Sequence, residues 1–264
     1  IALENVSVGY NEKPVLSRLS LSIADDDRIG LLGSNGNGKS TFAKLIGGRL
    51  NPLSGELKKS SKMTVAYFAQ HQLDELTPTG TPYTHIRTLM PEASEAQTRA
   101  RVARIGFSGT RADTPITSLS GGEKARLLMG IATFHGPHLL ILDEPTNHLD
   151  VDACESLERF LLEGERTMLL VSHDRRLLER VCTQLWVVSG GSVVRFDGGW
   201  RAWRHAVAEG WTVANAAVRI NAPRGRAQVG GPASAGSTRS TSTPATAAPP
   251  KARKGRSEEH TSEL

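Results

Sequence analysis

The sequence predicts an α/β fold with a mostly parallel sheet core, a small antiparallel β portion ahead of it, and a helical subdomain. Two observations predict it. Apolar, β-branched runs alternate with helix-period stretches from Ile1 to about Trp211, and a glycine-rich loop follows one of those runs and opens a helix.

Taken in order, the strongest strand candidates are Arg28–Leu32, Met63–Phe68, Leu139–Asp143, Thr167–Ser172 and Leu185–Ser189. Each is a short apolar run of the kind a sheet buried on both faces needs. Helical periodicity is clearest at Lys39–Ile46, Glu95–Ile105, Glu123–Ala132, Asp152–Leu162 and Arg175–Val181. The expected division is a main domain at 1–211 with its helical subdomain at about 80–132, and a Pro/Ala/Ser/Gly-rich tail at 212–255. Between Asn221 and Gly255 that tail holds Arg and Lys but neither Asp nor Glu, a composition that predicts disorder. Residues 256–264 resemble the translation of a sequencing-library adapter and carry no weight in the fold assignment. The chain opens without an initiator Met, directly in strand-like alternation, so further sequence is expected upstream.

Among 264 residues, 38% are apolar and 22% charged, enough for a sizeable core in a water-soluble domain. The formal net charge of +5 suits phosphate-bearing partners without identifying nucleic acid. The only cysteines, Cys154 and Cys182, form no CxxC pair, which removes a disulfide framework or structural zinc from consideration and fits the cytoplasm. No window approaches the roughly 20 apolar residues of a membrane helix, so membrane insertion is not expected.

Gly33-Ser34-Asn35-Gly36-Asn37-Gly38-Lys39-Ser40 satisfies G-x-x-x-x-G-K-[ST], with an apolar strand before it and a helix after it. Glycines let the backbone wrap a phosphate, amide N–H groups and the helix N-terminus face the anion, and Lys39 neutralises the β- and γ-phosphates of a nucleotide. Ser40 is the candidate magnesium ligand and Thr41 extends the cradle. Leu139–Asp143 delivers Asp143 and Glu144 at the C-terminal end of a strand, where open α/β sheets bind ligands. A strand period of 2 points the two carboxylates apart: Asp143 toward magnesium, Glu144 toward the water that attacks the γ-phosphate. By themselves the two residues serve equally well as an acidic helix cap. Leu119-Ser120-Gly121-Gly122-Glu123 precedes another helix and offers a second anion site rich in N–H groups.

Together these motifs resemble the ATP-binding cassette (ABC) family of P-loop NTPases over Ile1 to about Trp203, and Leu119–Glu123 is similar to its signature motif. The resemblance implies ATP and Mg2+ as cofactors, ATP hydrolysis, and head-to-tail pairing in which Ser120, Gly121 and Gly122 reach the nucleotide held by a second cassette. It also implies roles for residues that have ordinary readings when taken singly. Gln70, otherwise a turn after a strand, is similar to the glutamine that touches magnesium and the attacking water. His173, otherwise a surface histidine, is similar to the switch residue at the γ-phosphate. Tyr10, otherwise strand-end packing, is similar to the aromatic that stacks on adenine. Asp150, in Asn147-His148-Leu149-Asp150, is similar to the residue bridging paired sites.

The run Glu144-Pro145-Thr146-Asn147-His148-Leu149-Asp150, with Tyr67-Phe68-Ala69-Gln70-His71-Gln72 and Ser120-Gly121-Gly122-Glu123-Lys124-Ala125-Arg126, resembles family F of these ATPases. Phe196–Trp203 resembles the close of the second cassette in that family, with Trp where Tyr is usual. The resemblance implies a partner cassette upstream in the same chain, no membrane domain, and association with the ribosome and its rRNA. Tail residues Arg224, Arg226, Arg239, Lys251, Arg253 and Lys254 could meet rRNA phosphates or simply solvate the segment. The nucleotide motifs alone are shared with the ATPase subunit of a membrane transporter, the alternative reading.

Overall fold

Alternation of side chains along the central strands organises the molecule into two cores. In the computed structural model, which describes residues 1–69, 76–147, 149–164 and 166–216, nine strands form two sheets. β1 (Ala2–Tyr10), β2 (Lys13–Ser22) and β4 (Ser54–Lys58) make an antiparallel sheet in the order β2-β1-β4. The larger sheet runs β5-β6-β7-β3-β8-β9, with β3 (Arg28–Leu32), β5 (Val65–Phe68), β6 (Leu139–Asp143), β7 (Thr167–Val171) and β8 (Gln184–Ser189) parallel. Its edge strand β9 (Ser192–Phe196) is antiparallel to β8. The mostly parallel core and the small antiparallel portion are therefore both present.

Successive residues of a strand face opposite sides of its sheet. Ile29, Leu31, Leu139, Ile141, Leu169, Val171, Trp186 and Val188 accordingly pack into one core with the antiparallel sheet and with Phe42, Leu45 and Ile46 of α1 (Lys39–Ile46). Leu140, Leu142, Met168, Leu170, Leu185 and Val187 enter the other, with Leu127 and Leu128 of α4 (Gly121–Ala132) and Leu157 and Leu161 of α5 (Val151–Glu163). Burial on both faces explains why these strands read as continuous apolar runs.

The remaining helices are α2 (Pro82–Leu89), α3 (Glu95–Arg104), α6 (Arg175–Val181) and α7 (Trp200–Ala208). α4 begins at Gly121, two residues before the expected Glu123, because Ser120 caps it: Ser120 Oγ accepts from Glu123 N at 3.2 Å while Glu123 Oε2 accepts from Ser120 N at 2.9 Å. Periodicity does not single out α2, α7 or β9, which are short segments whose contacts are tertiary. Among the described residues no helix is long and apolar enough to cross a membrane. Residues 217–264, which hold most of the tail expected from 212 onward and the adapter-like end, lie outside the described residues, whereas the first residues of that expected tail are ordered, with Val213 packed against the core.

Candidate functional site

The loop between β3 and α1 is shaped by two glycines that admit no side chain. Gly33 has φ 149°, and a Cβ there would stand 2.5 Å from the Val188 carbonyl oxygen; Gly38 has φ 100°, and a Cβ there would meet Val15 Cγ1 at 2.9 Å. α2 to α6 each have a side-chain cap, from Thr81, Ser94, Ser120, Asp150 and Asp174. Gly38, the cap residue of α1, supplies none. The first N–H groups of α1 are thus left for an external acceptor, and the helix dipole favours an anion there.

Lys39 occupies the loop from below. Its Nζ donates to Gly33 O at 2.8 Å, Ser34 O at 3.4 Å and Asn35 Oδ1 at 3.3 Å. Burial lowers its pKa from the ordinary 10.5, opposed by the nearby charges of Glu144 and Asp143. These carbonyl bonds hold the ammonium within the loop, where the oxygens of an anion would be stronger, charged acceptors.

Two carboxylates close the opposite wall. Asp143, the last residue of β6, accepts from Ser40 Oγ at 3.2 Å and from Tyr67 Oη at 2.8 Å. The next residue leaves the strand: Glu144 takes φ 53°, its N–H bonded to Val171 O at 2.8 Å. A left-handed non-glycine residue is strained, and such strain gathers at functional sites. The turn, rather than strand alternation, therefore separates the two carboxylates. Burial raises the Glu144 pKa from 4.5, while His173 and Lys39 pull it back.

His173 ties the loop to this wall. Its Nε2 lies 2.9 Å from Asn35 Oδ1, 3.3 Å from Glu144 Oε1 and 3.3 Å from Lys39 Nζ. One imidazole nitrogen thus touches the phosphate loop, its lysine and the candidate general base, so any ligand entering among them is felt at all three.

These groups open on a cavity of about 590 Å3 lined by Tyr10, Asn35, Gly36, Gly38, Lys39, Ser40, Thr41, Glu144 and His173, all expected, with Val15 and Asn147 in addition. Its volume is in the range of nucleotide-sized ligand sites. Tyr10, at 44% exposure, stands at its lip. Val15 arrives through the β1–β2 hairpin, whose register sets Tyr10 opposite Lys13 and Gly9 opposite Pro14; no local motif announces such a pairing. Gly33, Ser34 and Asn37 face a second cavity instead, of about 800 Å3, on which His173 also borders.

Ser120, Gly121, Gly122 and Asp150 do not line the first cavity. Gly121 and Asp150 meet directly: Asp150 caps α5 by accepting from Ala153 N at 2.7 Å, and its other oxygen would stand 2.3 Å from a Cβ at Gly121. Gln70 and His148 lie outside the described residues.

A divalent cation fits this wall. Ser40 and Asp143 present hard oxygen donors side by side, and no cluster of three or more His, Cys, Asp or Glu among the described residues would hold a metal alone. The remaining ligands of a magnesium ion are characteristically water and substrate phosphates.

Comparison with known proteins adds the family. The Escherichia coli (strain K12) protein YheS is 41% identical over 198 residues, which is 75% of this chain and 31% of that protein. ABC transporter F family member 3 of Arabidopsis thaliana is 41% identical over 199 residues, 75% of this chain and 28% of its own length. ATP-binding cassette sub-family F member 3 of Homo sapiens is 39% identical over 210 residues, 79% and 30% respectively. The chain therefore matches about a third of the length of these relatives. A solved dimeric ATP-binding cassette, in a post-hydrolysis state with ADP and Pi, superimposes with a TM-score of 0.57 over 73% of this chain and 95% of its own, at 22% identity, a likeness of fold. Residues 16–147, half of the sequence, match the family described as ABC transporter, and the chain belongs to that family as an ABC ATPase domain.

Proposed function

We propose that this chain is an F-family cassette that binds ATP with magnesium and hydrolyses it as one of two paired cassettes, within a ribosome-associated translation factor. The convergence of Lys39, Ser40, Asn35, Glu144 and His173 on one cavity carries the nucleotide chemistry. The F-family reading is supported by relatives of that name at 39% and 41% identity, and by the Glu144–Asp150 run.

Catalysis of phosphoryl transfer is mainly positioning and charge neutralisation. Lys39 and the open N-terminus of α1 hold the phosphates, and Tyr10 takes the base. Ser40 and Asp143 would hold magnesium, with Gln70, and the cation would offset charge on the triphosphate. Glu144, its carboxyl poised by burial, orients water and accepts its proton; His173 reports the γ-phosphate to Asn35 and Glu144. Ser120, Gly121 and Gly122, remote from the chain's own cavity, serve the nucleotide of the partner cassette, with Asp150 beside them. The second cassette is expected upstream in the full-length chain. The net charge of +5 supports a polyanionic partner such as rRNA.

The test uses the full-length protein with both cassettes. Glu144→Gln should retain ATP binding, lower turnover by about 100-fold or more and accumulate the ATP-bound paired state on ribosomes in a sedimentation assay. Unchanged turnover would remove Glu144 as the base. Absence of sedimentation with ribosomes in either nucleotide state would remove the translation role and leave the ATPase.

A further inference from the structure

A further concave site, sharing no residue with the nucleotide cavity, opens where α3, α4 and α5 meet, with a volume of about 410 Å3. Three arginines from three different elements line it: Arg104 from the last turn of α3, Arg126 from α4 and Arg159 from α5. Arg126 belongs to the Lys124-Ala125-Arg126 run after the signature, a feature that nucleotide chemistry leaves unused.

What sets these three apart is their convergence on one cleft, since among the described residues Arg18, Arg49, Arg175 and Arg204 are likewise without an ion pair. Arg99, Arg111, Arg176, Arg180, Arg195 and Arg201 each reach a carboxylate. Among the described residues, the side chains of Arg104, Arg126 and Arg159 make neither an ion pair nor a hydrogen bond, although Glu163 borders the same cleft. The cleft also fixes one of them sterically. Gly106, at φ 92°, leaves bare the space that Arg126 fills, since a Cβ there would stand 3.0 Å from its Nη1. Three like charges in one concavity outnumber its single carboxylate, Glu163, and an external anion relieves their remaining repulsion.

We infer that this cleft docks the phosphodiester backbone of RNA. Guanidinium forks match phosphate oxygens in a bidentate way that a carboxylate-poor pocket leaves available. Ser156 adds a hydroxyl, and Phe160, with the Arg166 guanidinium 5.4 Å from its ring centroid, adds an aromatic wall of the sort nucleotides stack on. A concavity between helices accepts a ridge of backbone, whereas a flat bilayer surface does not enter it. The choice of RNA as the polyanion rests on the ribosome reading above.

The experiment measures binding of the full-length protein to a short A-form RNA duplex by fluorescence anisotropy across a salt series, with ribosome sedimentation in parallel. Arg104→Gln, Arg126→Gln and Arg159→Gln are made singly and together, with the triple Lys variant as a charge-preserving control. The triple Gln variant should bind the duplex at least tenfold more weakly and lower the salt slope by about 2–3, near one unit for each phosphate no longer neutralised. The Lys variant should keep most of the slope, and ATP turnover should stay at the parent value. Equal affinity and slope in the triple Gln variant and the parent overturns the inference. So does a loss of binding seen only with polyglutamate or with phosphatidylserine vesicles. Duplex binding that depends on the arginines in a protein that does not sediment with ribosomes retires the ribosome reading alone.

Discussion

Tyr67 Oη donates to Asp143 Oδ2 at 2.8 Å, while the other oxygen of that carboxylate accepts from Ser40 Oγ at 3.2 Å. The phenol is held rigidly: its residue is 9% exposed and the Arg49 guanidinium lies 4.0 Å over the ring. Burial and the Asp143 carboxylate push its pKa well above the ordinary 10.0, so it remains a donor at any working pH. Tyr67 thereby fixes the rotamer of the residue proposed to support magnesium.

Tyr67→Phe keeps the ring and removes one donor to a charged acceptor, a change of about 1.5–3 kcal/mol when fully felt. The Mg2+ concentration giving half-maximal ATPase should rise about fivefold or more, with ATP affinity in the absence of metal unchanged. A magnesium titration that superimposes on the parent curve would show that Asp143 needs no such anchor.

Gly121 lies directly against the carboxylate of Asp150, so Gly121→Ala forces Asp150 away and loosens its cap on α5. Loss of an N-cap is typically about 1 kcal/mol. We expect that reduction in unfolding free energy by urea denaturation. Because both changes act on one contact, Gly121→Ala should cost distinctly less in an Asp150→Ala background. Simple additivity would place the damage elsewhere in α4.

The raised Glu144 carboxyl gives stability a definite pH dependence. Between 4.5 and its raised value the folded state holds a proton that the unfolded state has released. Stability from this group is therefore full below 4.5 and falls as pH rises through that window. In Glu144→Gln the group no longer titrates, so the difference in unfolding free energy between variant and parent should grow as pH rises from about 4.5. A pH-independent difference would mean that the carboxyl is solvated as an ordinary surface glutamate. Activity runs the other way if Glu144 is the proposed base, since a base acts as carboxylate, and its acid limb should then sit above the ordinary glutamate range.

The sequence was most legible where one local signal determined structure. β3, β6, α1 and α6 begin and end at the residues their apolar runs and helical periods indicate. The strand–loop–helix geometry around Gly33–Lys39 was equally plain, because glycine spacing and a following helix are local. What local pattern missed depends on chain reversal or long-range pairing: Val15 at the cavity, Tyr67 behind Asp143, and the φ of 53° at Glu144. Strand alternation anticipated the separation of Asp143 from Glu144 but not its cause, since the chain has already turned out of β6. The meeting of His173 with Asn35, 138 residues apart, likewise needs β3 and β7 to be neighbours in the sheet.

Tyr10 offers the sharpest separation of binding from folding. Its ring is 44% exposed at the cavity lip, so Tyr10→Ala removes little packing and should leave the melting temperature nearly unchanged. A stacked aromatic pair is worth about 0.5–1.5 kcal/mol beyond area burial, so affinity should fall about threefold to tenfold. If the ring meets the base, ATP and ADP lose the same factor, inorganic triphosphate loses nothing, and Tyr10→Trp restores binding. Were the ring instead positioning the phosphate loop through Val15, its neighbour at the cavity, triphosphate would weaken along with both nucleotides, and Trp, too large for that contact, would fail to rescue. Competition measurements with ATP, ADP and triphosphate on the three proteins decide between the two, and only the first pattern keeps Tyr10 as the base platform.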